Sequence, residues 1–417
     1  MSDGRLSLEG APEGRELQEK VAVSKTPVVP FDAKAKNRYE TFEALRAEAP
    51  VHETPEGQRL VVGQKAVAEG LSAVNSFVGT FADTGEAAEE DTVMAAIAEP
   101  RHGRIRKLFN SALGFHHVTR LEPFVRATCK ECLEETFDRA SRDGDVEIME
   151  SFARPIPSAV IARVLGIPGE RTDDFARWSD ELLAGQGARG AATGPVGGLH
   201  PEFSCYLEGQ IAIRLAAEDP PDDLITRLLY TEIDGECLSP RAVLTQSMFL
   251  IIAGNETTRN LIGNLIRRLA EDPALYRRVQ ADRHWIPPLI EESLRFDSPV
   301  QLLARTCTEA IEIDGVRIEK GDRVLHSIAS ANRDERVYPH ADRFRIDRDR
   351  PRDHVAFGAG AHICPGAYLA RMEAQIALET LFDRVGGLEL APDYVFDPNP
   401  VFWALGPQTL RVALARA

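Results

Sequence analysis

Near its C-terminal end the chain reads Phe357-Gly358-Ala359-Gly360-Ala361-His362-Ile363-Cys364-Pro365-Gly366, followed by Leu369-Ala370-Arg371. Two glycines closely spaced ahead of a cysteine, and a third two residues after it, describe backbone that bends tightly and comes close to something large and flat. A haem is such a body. A cysteine offered to iron as a thiolate needs its charge held by N–H groups, and a glycine-rich loop feeding a helix N-terminus supplies them. Glu373 to Leu378 read as that helix. Cys364 is therefore the residue the rest of the chain is expected to serve.

Working outward, the longest apolar helix is expected from Ser239-Pro240, an N-cap followed by proline at the first helical position, to about Leu269. At ~1.5 Å per residue it spans about 45 Å. Apolar residues surround it almost completely, so it is read as buried and central. Its middle carries Ala253-Gly254-Asn255-Glu256-Thr257-Thr258, a glycine, an acid and two hydroxyls where a structural helix favours Leu or Ala. Further upstream Pro100 opens a helix. On it His102 and Arg106 share a face with Ile105 and Phe109, while Arg101, Arg104 and Lys107 fall opposite. Glu292 and Arg295 stand at i, i+3 and can pair on one helix face. Glu43 and Arg46 have the same spacing and are read as a surface pair.

Phe-Gly-x-Gly-x-His-x-Cys-x-Gly-x-x-Leu-Ala-Arg resembles the haem-thiolate signature of the cytochrome P-450 superfamily, without departure at its fixed positions. The resemblance implies a mainly α protein with small β-sheets, one large domain built around the long central helix. It implies haem b (iron protoporphyrin IX), with Cys364 as the metal ligand, Phe357 beside the sulfur, Gly366 in the loop, and His102, Arg106, Arg305 and His362 at the propionates. The central-helix stretch resembles the family's oxygen-activation motif. That likeness makes Glu256 the acid and Thr257 the alcohol that handle the protons O–O cleavage requires. Glu292 and Arg295 resemble the family's Glu-x-x-Arg, with Arg343 completing a structural network.

The reaction implied is a monooxygenase insertion of one atom of O₂ into a lipophilic small molecule. The alternatives are a haem-thiolate peroxygenase or isomerase, or a haem-binding sensor; the Glu256-Thr257 pair argues against these. Electrons are expected from a ferredoxin and its reductase, docking on Arg101, Arg104 and Lys107, because residues 101–120 hold five Lys/Arg and no acid. Phe77, Phe81, Val300, Leu302, Leu303, Phe402 and Trp403 suggest an apolar cavity, and no residue selects among terpenoid, steroid, macrolide and fatty substrates.

The 417 residues carry a formal charge of −16 at pH 7, which disfavours nucleic acid and anionic membrane as partners. No apolar run approaches the roughly 18 residues of a membrane span, so a cytoplasmic monomer resembling the soluble bacterial members is expected. Six scattered cysteines make no disulfide framework. Residues 1–26 read as a disordered or loosely attached tail and 27–417 as the catalytic domain. The acidic stretch through Glu90 reads as a mobile loop over the haem. Two motifs are set aside: Cys129-x-x-Cys132 lies in a helical pattern, and Gly185-x-Gly-x-x-Gly190 follows a helix, Asp174 to Leu183, where a dinucleotide site needs a strand. The latter is read as a flexible loop between helices.

Overall fold

The computed structural model describes residues 24–25, 38–79, 88–189, 200–399 and 403–417. Eleven strands occur among them: β1 (Ser24–Lys25), β2 (Val51–Glu53), β3 (Arg59–Val61), β4 (Phe77–Gly79), β5 (Val146–Glu147), β6 (Leu302–Cys307), β7 (Ile311–Ile313), β8 (Val316–Ile318), β9 (Arg323–Ser327), β10 (Val385–Leu390) and β11 (Arg411–Arg416). They form a six-stranded sheet ordered β1-β2-β3-β9-β6-β4, a three-stranded sheet β10-β11-β5 and the hairpin β7-β8. β1 lies within the stretch expected to be a loose tail and pairs in parallel with β2. The hairpin turns at Asp314-Gly315, both at positive φ, as the sequence indicates.

Helices make up the bulk. They are α1 (Arg38–Glu48), α2 (Gln64–Ser72), α3 (Arg101–Leu113), α4 (Phe115–Asp143), α5 (Pro155–Leu165), α6 (Thr172–Arg189) and α7 (Pro201–Ala216). After them come α8 (Leu224–Tyr230), α9 (Pro240–Glu271), α10 (Pro273–Ala281), α11 (Ile286–Phe296), α12 (Ile328–Ala331) and α13 (Ala367–Arg384). The expectation of a mainly α fold with small sheets is met. α9 is the long central helix; Ser239 caps it by accepting from the Ala242 N–H. It packs against α5, α6, α7, α11 and α13, which is why apolar residues run all round it.

Two expectations fail here. The backbone of residues 185–189 continues α6 rather than forming a loop, and Gly190 lies outside the described residues; Gly costs a helix only about 1 kcal/mol relative to Ala, which the surrounding turns tolerate. Arg46 is buried, not a surface partner of Glu43. It bonds Ser330 Oγ at 3.0 Å and Glu335 at 2.5 Å, because its face of α1 turns toward α12.

The proximal side is held by the Glu292–Arg295 pair, both buried. Glu292 Oε1 accepts from Arg295 at 2.7 Å and from the Arg345 backbone N–H at 2.7 Å, and Oε2 from Arg348 at 2.9 Å. Arg343 contributes only its carbonyl, to Arg295 and Arg348. Arg348, not Arg343, supplies the second guanidinium. Arg295 also bonds the carbonyls of Asn332 and Ala341, so one buried pair ties α11 to the segment leading into the Cys364 loop.

Candidate active site

The Cys364 loop folds as the glycine pattern requires. Gly358 and Gly360 have φ of +76° and +67°. A Cβ on Gly360 would stand 2.7 Å from Ser72 Cα and 3.0 Å from Leu71 O, so the loop can lie against the end of α2 only with glycine there. The Cys364 N–H donates to Phe357 O at 2.9 Å. Burial pushes the Cys364 thiol above its ordinary value, while the Gly366 N–H, Arg106 and Arg371 favour the thiolate. Arg371 lies over the Phe357 ring at 4.5 Å and is held by Glu291 at 2.7 and 2.9 Å. His354 bonds the same carboxyl at 2.9 Å, and these partners keep Glu291 down at about 2 against the effect of burial.

Above the loop lies a cavity of about 340 Å³ between α3, α9, β6, the Cys364 loop and α13. Its wall is mainly apolar, with Phe109, Leu250, Leu261, Leu302, Leu303 and Trp403. Phe77 does not reach it; the ring packs in the sheet core, edge-on to His326. Phe81 and Phe402, and most of the expected mobile loop, lie outside the described residues.

One edge of the cavity gathers nitrogen donors. The His102 and His362 rings stack at 3.8 Å and 27°. His102 Nδ1 is bonded to Glu99 at 2.7 Å, leaving buried Nε2 without a partner, and His362 Nδ1 is orphaned as well. Arg106 donates to Ile363 O. Arg305 is buried beside the cavity; among the described residues its one side-chain hydrogen bond goes to Ala304 O at 3.0 Å, and desolvation lowers it to about 10. Buried donors without acceptors are costly. This cluster therefore fits the carboxylates of a bound anion, and the thiol of Cys364 between them and α13 fits a metal in a flat ring.

The central helix divides its motif. Thr257 faces the cavity, its hydroxyl donating to Ala253 O at 2.8 Å. Glu256 is fully buried and does not line the cavity. It is bonded to Arg259 at 2.6 Å, to Asn260 at 3.0 Å and to Asn399. Arg259 continues to Asp180 at 3.0 Å, and Asp180 to Arg154 at 2.5 Å. The sequence reading missed this chain. Arg259, three residues after Glu256 on one helix, was its one legible member; Asp180 and Asn399 come from distant segments.

A thiol in a glycine loop, a facing ring of propionate-type donors and a central helix with a hydroxyl toward the cavity define a haem-thiolate protein. Comparison with known proteins agrees. The cytochrome P450 family model matches residues 210–385. Cytochrome P450 109 of Bacillus spizizenii is 38% identical over 323 residues, covering 76% of this chain and 78% of the relative. Cytochrome P450 monooxygenase PikC of Streptomyces venezuelae is 33% identical, covering 90% and 91%. The structure of CYP109E1 from Bacillus megaterium in complex with testosterone superposes with a TM-score of 0.78 at 32% identity, covering 90% of this chain and 99% of that one. The chain belongs to the cytochrome P450 family, bacterial type, whose members are monooxygenases that bind haem b.

Behind Arg305, on the adjacent strand and the same sheet face, His326 is fully buried, and among the described residues only the Leu303 backbone is placed to favour its charged form. Burial, then the Arg305 charge, lowers it to about 3. Unfolded, it binds a proton below roughly pH 6.5; folded, it does not until about 3, so protons favour the unfolded form across that window. His326→Leu is expected to reduce the loss of stability between pH 6.5 and 4.5 by up to about 1.4 kcal/mol per pH unit. Urea unfolding at several pH values measures it; equal slopes for both proteins would show that His326 finds its proton in the folded state.

Proposed function

We propose that this protein is a ferredoxin-dependent monooxygenase of lipophilic small molecules. The observation that carries the reading is the placement of Thr257 on the cavity wall, across from the Cys364 loop. The net reaction joins a C–H bond, O₂, two electrons and two protons into an alcohol and water. Haem b, when bound, supplies the O₂ activation. Cys364 is its ligand, and His102, Arg106, Arg305 and His362 hold its carboxylates.

Protons must reach the cavity without flooding it. Glu256, adjacent to Thr257 in sequence, is raised by burial and pulled back by Arg259 and Asn260. The ion pairs Glu256–Arg259–Asp180–Arg154–Glu150 run from it to the half-exposed Glu150 carboxylate; the guanidiniums keep their protons, so the chain fixes the Glu256 carboxyl in place. Thr257 keeps the last proton donor at a fixed atom of the cavity. The apolar remainder of the wall excludes water and suits a lipophilic substrate. The testosterone seen in CYP109E1 is of that kind.

The docking face expected on α3 needs revision. Arg101 is committed to Glu89 at 2.9 Å and Asp234 at 3.3 Å, and Arg104 also to Asp234, so their charge is largely neutralised. Beside Cys364 stand exposed Ile363 (47%), Tyr368 (39%) and Phe115 (59%), the latter two rings 5.1 Å apart. Lys107 and Arg120 are exposed on the helices that flank Phe115. An apolar centre with basic residues near it suits an acidic ferredoxin. The route to Cys364 from there is short. A cytoplasmic location accords with such a partner.

Thr257→Ala is expected to keep haem and its reduction, yet send most electrons to hydrogen peroxide. Product formed per electron donor consumed measures this with any substrate that shifts the spin state. Unchanged coupling would remove Thr257 from the proton route.

Tyr368→Glu with Phe115→Glu is expected to slow reduction by ferredoxin on the order of tenfold, about 1.4 kcal/mol of lost association. Stopped-flow reduction over a salt series reads it. Wild-type rates at low salt would move the docking face elsewhere.

A further inference from the structure

Glu373 stands on the cavity wall formed by α13, one turn beyond Leu369 and Ala370. It is only 3% exposed, its Oε2 is buried without a hydrogen-bond partner, and no ion pair among the described residues includes it. A carboxylate is an improbable occupant of such a place, since an unpaired charge there forfeits its hydration.

The elements around it offer no compensation. α13 packs on α4, α9, α11 and β10. From α4 the nearest titratable group is the buried Cys129 thiol, itself pushed up by burial and by Glu373. Arg126 of α4 is bound to Glu122 and Glu379, while Lys130 and Arg120 are exposed. On α9, Arg259 is closed on Glu256 and Asp180, and Arg267 and Arg268 on Asp297 and Glu271. On α11, Arg295 is closed on Glu292, and on α13 itself Arg371 on Glu291. Glu389 of β10 is exposed. Thr258 and Leu294 share the cavity wall, and Cys364 lies at the head of the same helix.

We propose that Glu373 is held as a neutral carboxylic acid in the resting protein, and that its ionisation in alkaline solution lowers the reduction potential of the haem bound beside it. This rests on the reading of the cavity and the Cys364 loop as the haem site. Burial, with nothing opposing it, raises the Glu373 carboxyl to about 8. Below that pH the group is neutral and adds no charge to the cavity wall that it shares with Cys364. Above it the proton leaves to solvent and a carboxylate faces the cavity. Adding an electron to the iron is then disfavoured, or draws a proton back onto Glu373; the two are reciprocal by linkage. The group thus works through the cofactor's potential and touches no substrate.

The test uses the haem-loaded protein with Glu373→Gln, a neutral isostere, and Glu373→Leu as a second variant. The infrared difference spectrum between wild type and Glu373→Gln at pH 7 is expected to show loss of a protonated-carboxyl C=O band. Loss of a carboxylate band instead overturns the proposal. Spectroelectrochemical potentials from pH 6.5 to 9.5 are expected to fall more steeply in wild type than in either variant. Equal pH dependence in all three overturns it too. Failure of the haem reading would show elsewhere, in a carbonyl complex without the thiolate shift, and would leave the infrared result at Glu373 standing.

Discussion

A sulfur anion has to be held at the floor of a mainly apolar cavity, from which Cys364 is accessible, and much of the architecture follows from that. The mainly apolar wall of the cavity offers a thiolate little, so protein dipoles and cations must hold its charge. The Gly366 N–H and the Arg106 and Arg371 charges do so in part, and burial still leaves the thiol raised. The remaining stabilisation has to come from a metal's own charge. That explains why Arg371 is fixed from two sides, by the Phe357 ring and by Glu291, and why the Glu292–Arg295–Arg348 cluster clamps the segment leading into the loop.

Charge is handled by opposite means on the two sides of the cavity. At the donor edge His102, His362 and Arg305 are left short of acceptors, a cost of order 1–3 kcal/mol per buried group unless a ligand supplies them. Around Glu256 the charged groups are paired and the ion pairs lead outward to the surface, although Asn260 Oδ1 stays without a partner among the described residues. Unsatisfied donors mark where a ligand's carboxylates go. The closed ion pairs mark where buried charge is neutralised without a ligand.

The loop was legible because glycine, cysteine and histidine spacing is a local property of backbone geometry. The positive φ of Gly358 and Gly360 and the contact of Gly360 with α2 are what those glycines were needed for. α9 was legible from its cap and its apolar surround, and it ends within two residues of the expected Leu269. What the sequence hid was long-range. Arg101 and Arg104 look free along α3 and are neutralised by Asp234, 130 or more residues away in sequence. Arg348 replaces Arg343 in the proximal cluster because the chain turns between them, which spacing does not show. Glycines at 185 and 187 suggested a break, yet the helical backbone of α6 runs through both to Arg189.

The claim on which all of this depends is that Cys364 presents its sulfur to iron. The most direct measurement is the absorption spectrum of the ferrous carbonyl complex of the haem-loaded protein beside that of Cys364→His. Wild type is expected to show the red-shifted Soret band of a thiolate-ligated haem, and the variant the unshifted band of an imidazole-ligated one. A variant that retained the red-shifted band would contradict the account, since the sulfur would then belong to another residue.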